Sequence, residues 1–388
     1  MVDLVPMNNA TQHIDVCLVG GGLQSCVLAL ALRAAQPSLH ILIVERGSEL
    51  CGNHTWCFHD HDAVAAGGSA PVLASITEHH WAAYDVKFTN HSRTLPTGYN
   101  LISSTKLRNV VMAAQDHALQ VRTSCNVTHV ATDHICIGDE RIAATVVMDN
   151  RGGGDDFAKQ CGYQKFVGIE VECTASHGVA RPILMDATVD QRLGYRFFYV
   201  LPLSPTRLLL EDTYYSDDSV LDVALVRQEI ASYAARARFP SYQIVREETG
   251  ILPLPWAATG PHVGAAEVLR GGYRGGWFHP VTGYSFPLAW RLAAKLAAVP
   301  LGTWRTTMQA EALRLSEQQP LALRLNWMLF KWFAPPQRHH VLARFYRLPV
   351  DTIARFYALD TTLLDRVRLF VGRPPRGMSW RAFWLGAL

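Results

Sequence analysis

The stretch IDVCLVGGGLQS, residues 14–25, determines the fold. Its first six residues predict a buried parallel strand, and the three glycines after them predict a tight turn. Residues 23–35 are apolar on all sides, as in a helix packed on a sheet, and residues 41–44 predict a second buried strand that Glu45 closes. Strand, glycine turn, helix and strand in this order predict the first βαβ unit of a dinucleotide-binding fold.

The glycine turn supplies the groups that a dinucleotide needs. Gly20 permits the tight turn, and Gly22 lets the backbone approach a pyrophosphate, whose charge is favoured at the N-terminus of the following helix. Glu45 lies 23 residues after Gly22, near the position roughly 20 residues on where a carboxylate accepts hydrogen bonds from ribose hydroxyls. Ser25 replaces the third glycine of G-x-G-x-x-G and is small enough for close packing. The candidate cofactor-binding residues here are Gly20, Gly21, Gly22, Leu23, Ser25 and Glu45.

Two later segments are candidates for further cofactor contacts. A βαβ unit near the start of a chain is typical of FAD enzymes, although a plain glycine turn is the alternative. The apolar run at 143–148 ends in Asp149, which predicts either a strand that returns to the nucleotide or a plain core strand. The loop GGWFHPVTGYSFP, residues 275–287, leads into a helix and is typical of a second flavin site, but it lacks the usual preceding Gly-Asp pair, and an ordinary turn is the alternative. Its candidate residues are Gly276, Thr282, Gly283 and Tyr284.

The composition indicates a globular, unusually apolar protein. Its 388 residues are 49% hydrophobic and 18% charged, with a mean hydropathy of +0.05, and suffice for one large or two interleaved domains. No run reaches the roughly 18 apolar residues of a membrane span, and no signal peptide is evident. Eight cysteines without a C-x-x-C pair indicate reduced thiols in a cytoplasmic protein. His79 and His80 lack a third ligand, so no metal site is predicted.

Charge is distributed unevenly along the chain. The net charge is +3, but residues 321–388 contain 11 Lys or Arg, 3 acids and 12 aromatic residues. This mixture suits an anionic membrane surface or a nucleic acid, and without a nucleic-acid recognition module the membrane surface is the predicted partner. The tetrapeptide ARFY at 343–346 recurs at 354–357, which predicts either an aromatic helix face that meets lipid or a helical core.

The predicted fold class is α/β, a two-domain flavoprotein. We expect a Rossmann-type FAD-binding domain from residues 12–60, 100–155 and 270–300, an inserted antiparallel-sheet substrate domain from 61–99 and 156–269, and a helical region, 301–388. Patterns of period two at 166–171, 196–201 and 207–211 predict the antiparallel strands. The segment GNHTWCF, residues 52–58, predicts a polar and aromatic loop near the flavin, in which His54 is a candidate; a packed turn is the alternative.

The segment LLLEDT, residues 208–213, ends an apolar strand with two acids. Strand alternation places Glu211 and Asp212 on opposite faces. A carboxyl group in an apolar pocket resists ionisation and can serve as a general acid. The alternative is that both acids are solvated at the end of a strand.

A set of motifs resembles the bacterial lycopene β-cyclases over nearly the full length of the chain. No single motif is specific, but the set is. It comprises the glycine turn at 18–23, GNHTW at 52–56, MDATVDQ at 185–191, GYRF at 194–197, LPLSPTRLL at 201–209, EDT at 211–213, FHPVTGYS at 278–285, RFY at 344–346 and LP at 348–349.

The resemblance implies an isomerisation without net redox change. The linear ψ-ends of lycopene become β-ionone rings, which gives γ-carotene and then β-carotene. The resemblance also implies FAD in its reduced form, NADPH as the electron donor, and an essential acid that falls on Glu211 in the EDT motif. His279 and His54 are further catalytic candidates near the flavin.

The chemistry of ring closure agrees with these residues. Protonation of C2 of the terminal alkene leaves a tertiary cation at C1, the C5=C6 bond attacks it, and loss of a proton from C6 completes the β ring. The site must exclude water, which would trap the cation, while aromatic faces and an anionic reduced flavin can stabilise the charge. The sequence leaves open whether Glu211 or the flavin carries each proton.

Two other functions fit the same pattern. A redox flavoenzyme acting on an apolar lipid, such as a hydroxylase, epoxidase or prenyl reductase, would consume NADPH in step with its product. A non-catalytic flavin-binding scaffold would tolerate the loss of Glu211. We expect a cytoplasmic protein peripherally attached to the inner membrane, and the sequence does not indicate its oligomeric state.

Overall fold

The chain begins with the predicted βαβ unit. The structure, a computed structural model, describes residues 13–62, 67–152, 160–257, 260–372 and 374–379. β1 is Ile14–Val19, α1 is Leu23–Ala35 and β2 is Ile41–Val44, so these predicted bounds are confirmed. Residues 153–155 at the end of the predicted segment 100–155, and residues 380–388 of the basic region, lie outside the described residues.

The first sheet has seven strands and contains β1 and β2. Its other strands are β8 (Leu119–Arg122), β9 (His129–Val130), β10 (His134–Ile137), β11 (Glu140–Asp149) and β17 (Leu269–Arg270). The order is β8-β2-β1-β11-β10-β9, with β17 beside β11. β17 is parallel to β11, which is itself parallel to β1. Because parallel strands end at the same edge, β17 brings the residues after Arg270 to the edge that carries the glycine turn.

Helices cover this first sheet. α1 packs in one core with Val16 and Ile43 of the sheet and with Leu292 of a later helix, which accounts for its apolar residues on all sides. Further helices described before residue 300 are α2 (Ala70–Ile76), α3 (Ser104–Ala113), α4 (Val223–Arg236) and α5 (Phe286–Ala297).

The second sheet also has seven strands. In spatial order they are β16 (Tyr242–Pro255), β12 (Cys161–Cys173), β15 (Arg207–Ser216), β14 (Tyr195–Pro202), β13 (Ile183–Asp186), β5 (Tyr84–Phe88) and β6 (His91–Leu95). The pairs are antiparallel except β13 with β5. One face packs on Val226 and Ile230 of α4, and the opposite face carries Glu211.

A third, three-stranded sheet corrects the prediction for residues 52–58. Part of that segment forms β3 (Thr55–His59), which pairs with β7 (Tyr99–Ser103), and β7 pairs with β4 (His79–Trp81). The segment has little strand pattern of its own, and the pairing with β7 holds it extended. Trp56 lies directly opposite Ile102 in this register.

The C-terminal region is helical, as predicted. It contains α6 (Trp304–Trp332), α7 (His339–Phe345), α8 (Val350–Tyr357) and α9 (Leu363–Phe370). The repeated aromatics lie on two separate helices, with the Phe345 and Phe356 rings 4.9 Å apart and the Tyr346 and Tyr357 hydroxyls 2.6 Å apart. Tyr346, Phe356 and Tyr357 are buried, so the interpretation of the repeat as a lipid-facing surface is wrong, and the core alternative holds.

Most of the exposed large apolar side chains described in this region lie on α9 or directly after it, and Leu313 of α6 is a further one. Leu363 and Leu364 are 78% and 56% exposed, and Val367, Phe370 and Val371 are also exposed. Among the described residues, no helix is both long enough and apolar enough to cross a membrane.

Candidate active site

A cavity of about 620 Å³ joins the first sheet to the second. At one end, here called the glycine-turn end, its lining includes Gly22, Leu23, Thr282 and Gly283. At the other end, here called the Glu211 end, its lining includes Trp56, Tyr99, Tyr199, Leu209, Glu211 and Glu248. A single space therefore connects a dinucleotide-type turn with an acid on an apolar sheet.

The three glycines of the turn have different tasks. Gly20 has a φ of +94°, which favours glycine, and a Cβ there would lie 3.0 Å from the Arg151 backbone. A Cβ at Gly21 would overlap the Leu50 side chain. A Cβ at Gly22 would meet no described atom within 4 Å, because Gly22 borders the cavity. Gly20 and Gly21 thus shape the turn, and Gly22 faces the space where a ligand can lie.

The first turn of α1 is open to this space. Gly22 is the N-cap of α1 and supplies no side-chain hydrogen bond to it within the described structure. The first N–H groups of a helix need a partner from outside the helix, and they favour an anion. Nearby, the buried oxygens Gln24 Oε1 and Asn150 Oδ1 have no hydrogen-bond partner among the described residues. This end can therefore accept a group that carries both an anion and hydroxyl donors.

Ser25 does more than save space at the third glycine position. Its hydroxyl donates to the Gly20 carbonyl at 2.5 Å and accepts from Asn150 Nδ2 at 2.9 Å. These bonds tie the glycine turn to the residue that follows β11. A glycine at this position would make neither bond.

Glu45 is held in one orientation at the end of β2. Its two carboxylate oxygens accept from the N–H groups of Gly21 at 2.6 Å and Gly47 at 2.7 Å. Each carboxylate oxygen has two acceptor positions, so each keeps one for a ligand hydroxyl. The arrangement fits the predicted role toward a ribose.

Asp149 and Gly276 lie off the cavity lining, as do Gly20, Gly21, Ser25 and Glu45. Asp149 is buried and accepts from Arg151 Nε at 2.9 Å and Nη2 at 2.8 Å, so its carboxylate is occupied by an ion pair; the neighbouring Asn150 lines the cavity in its place. Gly276 has a φ of +78° and shapes the turn before Trp277, away from the lining.

His279 also lies off the lining and joins two parts of the chain. Its Nδ1 accepts from the Val281 N–H at 3.1 Å, and its Nε2 donates to the Phe356 carbonyl at 2.9 Å. Burial lowers the pKa of His279 to about 4, so the imidazole is neutral at physiological pH. Both ring nitrogens are thus engaged with backbone groups, and His279 fixes the loop at 271–285 against α8.

Thr282, Gly283 and Tyr284 of the same loop do line the cavity. Gly283 has a φ of +68°, and a Cβ there would lie 3.0 Å from Leu252. The Tyr273 hydroxyl donates to its carbonyl. The Tyr284 hydroxyl lies 3.2 Å from that of Tyr99, so this loop contacts the aromatic wall of the Glu211 end.

Glu211 lies in a row of side chains that crosses the second sheet. In the strand register Tyr199 and Gly168 flank Glu211 on either side, and Glu248 follows Gly168. Cross-strand neighbours project to the same face, so these groups share the cavity. Asp212 projects to the opposite face, where it accepts from Arg196 at 2.9 Å, as strand alternation predicts.

The surroundings keep Glu211 in its acid form. Burial raises the pKa of Glu211 to about 8, and the Glu248 and Asp212 carboxylates add to the rise, against a lowering by the Thr213 hydroxyl and Arg246. Thr213 Oγ1 donates to Glu211 Oε1 at 2.6 Å. A carboxyl group that stays protonated at neutral pH, beside apolar walls, can donate a proton to a weak base.

His54 and Glu248 complete this end of the cavity. The His54 side chain is 58% exposed, and its Nδ1 lies 3.6 Å from Glu248 Oε1. Glu248 was not a candidate from the sequence. It lies on β16, and the register that places it two strands from Glu211 could not be recognised from the sequence. Gln24, Asn150 and Tyr99 were missed for the same reason, since each acquires its place through tertiary contact.

Solved structures define the class of protein to which this fold belongs. One is a geranylgeranyl bacteriochlorophyll reductase-like protein from Thermoplasma acidophilum, with a TM-score of 0.62 and 12% identity over 93% of this chain and 96% of that one. Another is p-nitrophenol 4-monooxygenase from Pseudomonas putida, with a TM-score of 0.61 and 15% identity over 90% and 98%. A third, a halogenase in complex with FAD, has a TM-score of 0.60 and 11% identity over 94% and 87%. The fold is that of the two-domain flavoproteins, which confirms the predicted fold class.

Sequence comparison gives the family within that class. The family model described as lycopene cyclase protein matches residues 15–382. A lycopene β-cyclase from Pantoea ananas is 39% identical over 94% of this chain and 95% of its own length. The lycopene β-cyclase from Pseudescherichia vulneris is also 39% identical, over 95% and 96%. The chain belongs to the lycopene cyclase family, and the resemblance drawn from its motifs is confirmed.

Proposed function

We propose that the protein is a lycopene β-cyclase, which converts the linear ψ-ends of lycopene into β-ionone rings without net redox change. Membership of the lycopene cyclase family supports this, as do relatives of that name matched over nearly their whole length. The observation that carries the proposal is Glu211, an acid that burial keeps protonated at the apolar end of the cavity.

The cofactor in this proposal is FAD. The open N-terminus of α1, the Glu45 carboxylate and the free acceptors of Gln24 and Asn150 fit its pyrophosphate and hydroxyl groups. Thr282, Gly283 and Tyr284 would border the flavin. When bound in its reduced form, with NADPH as electron donor, FAD would supply negative charge that stabilises a cation in the cavity. The FAD-binding unit comprises residues 12–60, 100–155 and 270–300, and residues 61–99 and 156–269 form the substrate-binding unit.

Glu211 performs the proton transfers. Its O–H donates to C2 of the terminal alkene, which leaves a tertiary cation at C1. The C5=C6 bond attacks C1 and moves the cation to C5. The Glu211 carboxylate then takes the proton from C6, which completes the β ring and restores the acid. The Thr213 hydroxyl, 2.6 Å from Oε1, orients the carboxyl throughout.

The walls of the Glu211 end protect the cation. Tyr99, Tyr199 and Trp56 present aromatic rings to the cavity, and a ring face attracts positive charge. Leu201 and Leu209 add apolar surface, so water, which would trap the cation, is kept away. His279 supports the reaction indirectly by holding the loop at 271–285, and His54 borders the cavity beside Glu248.

The substrate is apolar and resides in membranes, so the protein must meet lipid. The exposed apolar face of α9 supports peripheral attachment to the cytoplasmic side of the inner membrane, because Leu363, Leu364, Val367 and Phe370 are exposed beside the basic Arg366 and Arg368. We expect Leu364→Asp to reduce co-sedimentation with anionic vesicles severalfold, while Leu313→Asp, at an exposed leucine of α6, leaves it unchanged. Equal binding by both variants would remove α9 from the contact.

Product analysis tests the function. The protein is co-expressed with lycopene-making enzymes, and carotenoids are separated by chromatography. We expect β-carotene from the unaltered chain, and at least ~10²-fold less from Glu211→Gln, because a general acid contributes about 10²–10⁴ in rate. Flavin absorbance of the purified variant provides the control for folding.

Other outcomes of this experiment are equally informative. Untouched lycopene with the unaltered chain would exclude the cyclase and favour a redox flavoenzyme, recognised by NADPH consumed in step with its product. Full activity of Glu211→Gln would keep the function but assign the proton to another group.

A further inference from the structure

Glu248 is a buried carboxylate at the cavity for which the mechanism above has no task. It is 5% exposed, and it lines the same cavity as Glu211. The Thr55 N–H donates to its Oε1 at 3.1 Å, and Arg246 Nη1 lies 3.4 Å from its Oε2. Its position is therefore fixed by a backbone group from β3 and a side chain of its own strand.

Arg246 is shared among several acceptors and does not neutralise Glu248 alone. Its Nε donates to Glu170 Oε2 at 3.0 Å, and its Nη groups donate to Asn53 at 2.9 Å and Thr55 at 2.6 Å. Each of these distances is shorter than the one to Glu248. Glu170 also pairs with Arg207 at 2.6 Å. The network thus anchors Glu248, whose Oε1 also lies 3.6 Å from His54 Nδ1 at the cavity.

Gly168 leaves the space between Glu248 and Glu211 open. It is the register partner of both residues on β12, so the two carboxyl groups project from neighbouring strands on either side of a residue without a side chain. A Cβ at Gly168 would lie 3.4 Å from Glu211 Oε2, which shows that the Glu211 carboxyl leans over Gly168. The two groups therefore interact across an apolar gap.

We propose that Glu248 is a positioning residue for the proton: an anchored anion whose charge keeps Glu211 in the acid form and makes it a stronger base once the proton has been given. A negative charge disfavours the ionisation of a second acid nearby and raises the pKa of that acid by about 1–3. Thr213 and Asp212 of the same strand and Arg246 of β16 also affect the pKa of Glu211. The charge of Glu211 in turn contributes to the raised pKa of Tyr199 on β14 and of Cys57 on β3.

The inference rests on the proposed function for the identity of the acid, but its test observes the carboxyl directly. In the FAD-loaded protein, the infrared band of the protonated Glu211 carboxyl is assigned by its absence from Glu211→Gln and followed with pH. We expect the midpoint of its loss to fall by roughly one unit or more in Glu248→Gln. In lycopene-containing vesicles, the cyclisation rate of Glu248→Gln should begin to fall at a lower pH than that of the unaltered chain, by the same interval.

A matched control comes from the next residue. Glu247 carries the same charge on the same strand but faces the other side of the sheet, where it pairs with Arg227 at 2.6 Å. Glu247→Gln should leave the midpoint unchanged, and Glu248→Asp, which keeps the charge, should hold it above that of Glu248→Gln. If Glu248→Gln does not fold, Glu248→Met removes the same charge and provides the same comparison.

An unshifted midpoint in the folded Glu248 variant, or equal shifts in the Glu247 and Glu248 variants, would overturn the proposal. If the midpoint shifts in Glu248→Gln but the unaltered chain forms no β-carotene, the role of Glu248 is supported and the proposed function is rejected. The two can therefore fail separately.

Discussion

At the glycine-turn end of the cavity the groups available to a ligand include backbone N–H groups at a helix end, whereas at the Glu211 end they are side chains. The first set comes from the N-terminus of α1 and the loop at 271–285. The second set comes from the faces of β3, β7, β14, β15 and β16. One end thus presents fixed dipoles to a polar ligand, and the other presents an apolar and aromatic wall that carries Glu211.

This difference shows how one cavity can hold charge and exclude water at the same time. Backbone N–H groups at a helix end satisfy an anion without a charged side chain. An apolar wall raises the cost of ionising a carboxyl group, which is why Glu211 stays protonated. If the proposed function is right, changes at the Glu211 end should lower the cyclisation rate, and changes at the glycine-turn end should lower the affinity for FAD.

The largest effect is expected from pH acting on the Glu211 end. Because burial raises the pKa of Glu211 to about 8, its acid form is present below that pH and is lost as the pH rises through it. Above that pH, the rate of β-ring formation at saturating FAD and lycopene should fall tenfold per unit. The measurement is the initial rate of cyclisation between pH 6 and about 10, in vesicles.

A cyclisation rate that stays constant across this pH range would show that the reaction does not depend on the acid form of Glu211. Retention of bound flavin across the series provides the control, because it shows that any loss of rate does not come from loss of the cofactor.

A smaller effect is expected from Gly22→Ala at the glycine-turn end. The backbone of Gly22 has a φ of −82°, which alanine adopts without strain, and the new methyl group would project into the cavity without meeting any described atom within 4 Å. The fold should be preserved while FAD affinity falls about tenfold, because crowding a close contact costs about 1–3 kcal/mol. Flavin fluorescence titration measures the dissociation constant.

Gly21→Ala is the matched comparison one residue earlier. Its methyl group would overlap Leu50 and lie 2.9 Å from the Glu45 Cβ, so it should lower the free energy of unfolding by about 1–3 kcal/mol. Chemical denaturation measures this loss. If both variants lost affinity and neither lost stability, the assignment of Gly21 to the turn and Gly22 to the ligand would be wrong.

The sequence predicted those parts of the fold that depend on residues close together in the chain. The βαβ unit was predicted with the observed bounds because its strands, turn and helix are contiguous and strongly patterned. Residues 55–58 were predicted as part of a loop but belong to β3, because the strand exists through its pairing with β7. β17 was missed because a strand of two residues beside β11 has no pattern to detect.

The same distinction applies to the site. Glu211 was recognisable from the apolar strand that carries it and from its motif, whereas Glu248 depends on the pairing of β12 with β15 and β16. Ser25 was expected to save space, and its two hydrogen bonds became visible only with Asn150 in place. The aromatic repeat at 343–357 could not be assigned to surface or core, since its contacts lie between separate helices.

The bond from His279 to the Phe356 carbonyl also affects how the chain can be shortened. α8, which provides that carbonyl, is held in turn by α9, where Asp365 accepts from Thr352 at 2.7 Å and from Arg355 at 2.6 Å. The helix with the exposed apolar face and the loop at 271–285 are therefore links of one connected scaffold. We expect a truncation designed to detach the protein from lipid also to release this loop, so solubility is better sought by replacing the exposed side chains of α9 than by removing the helix.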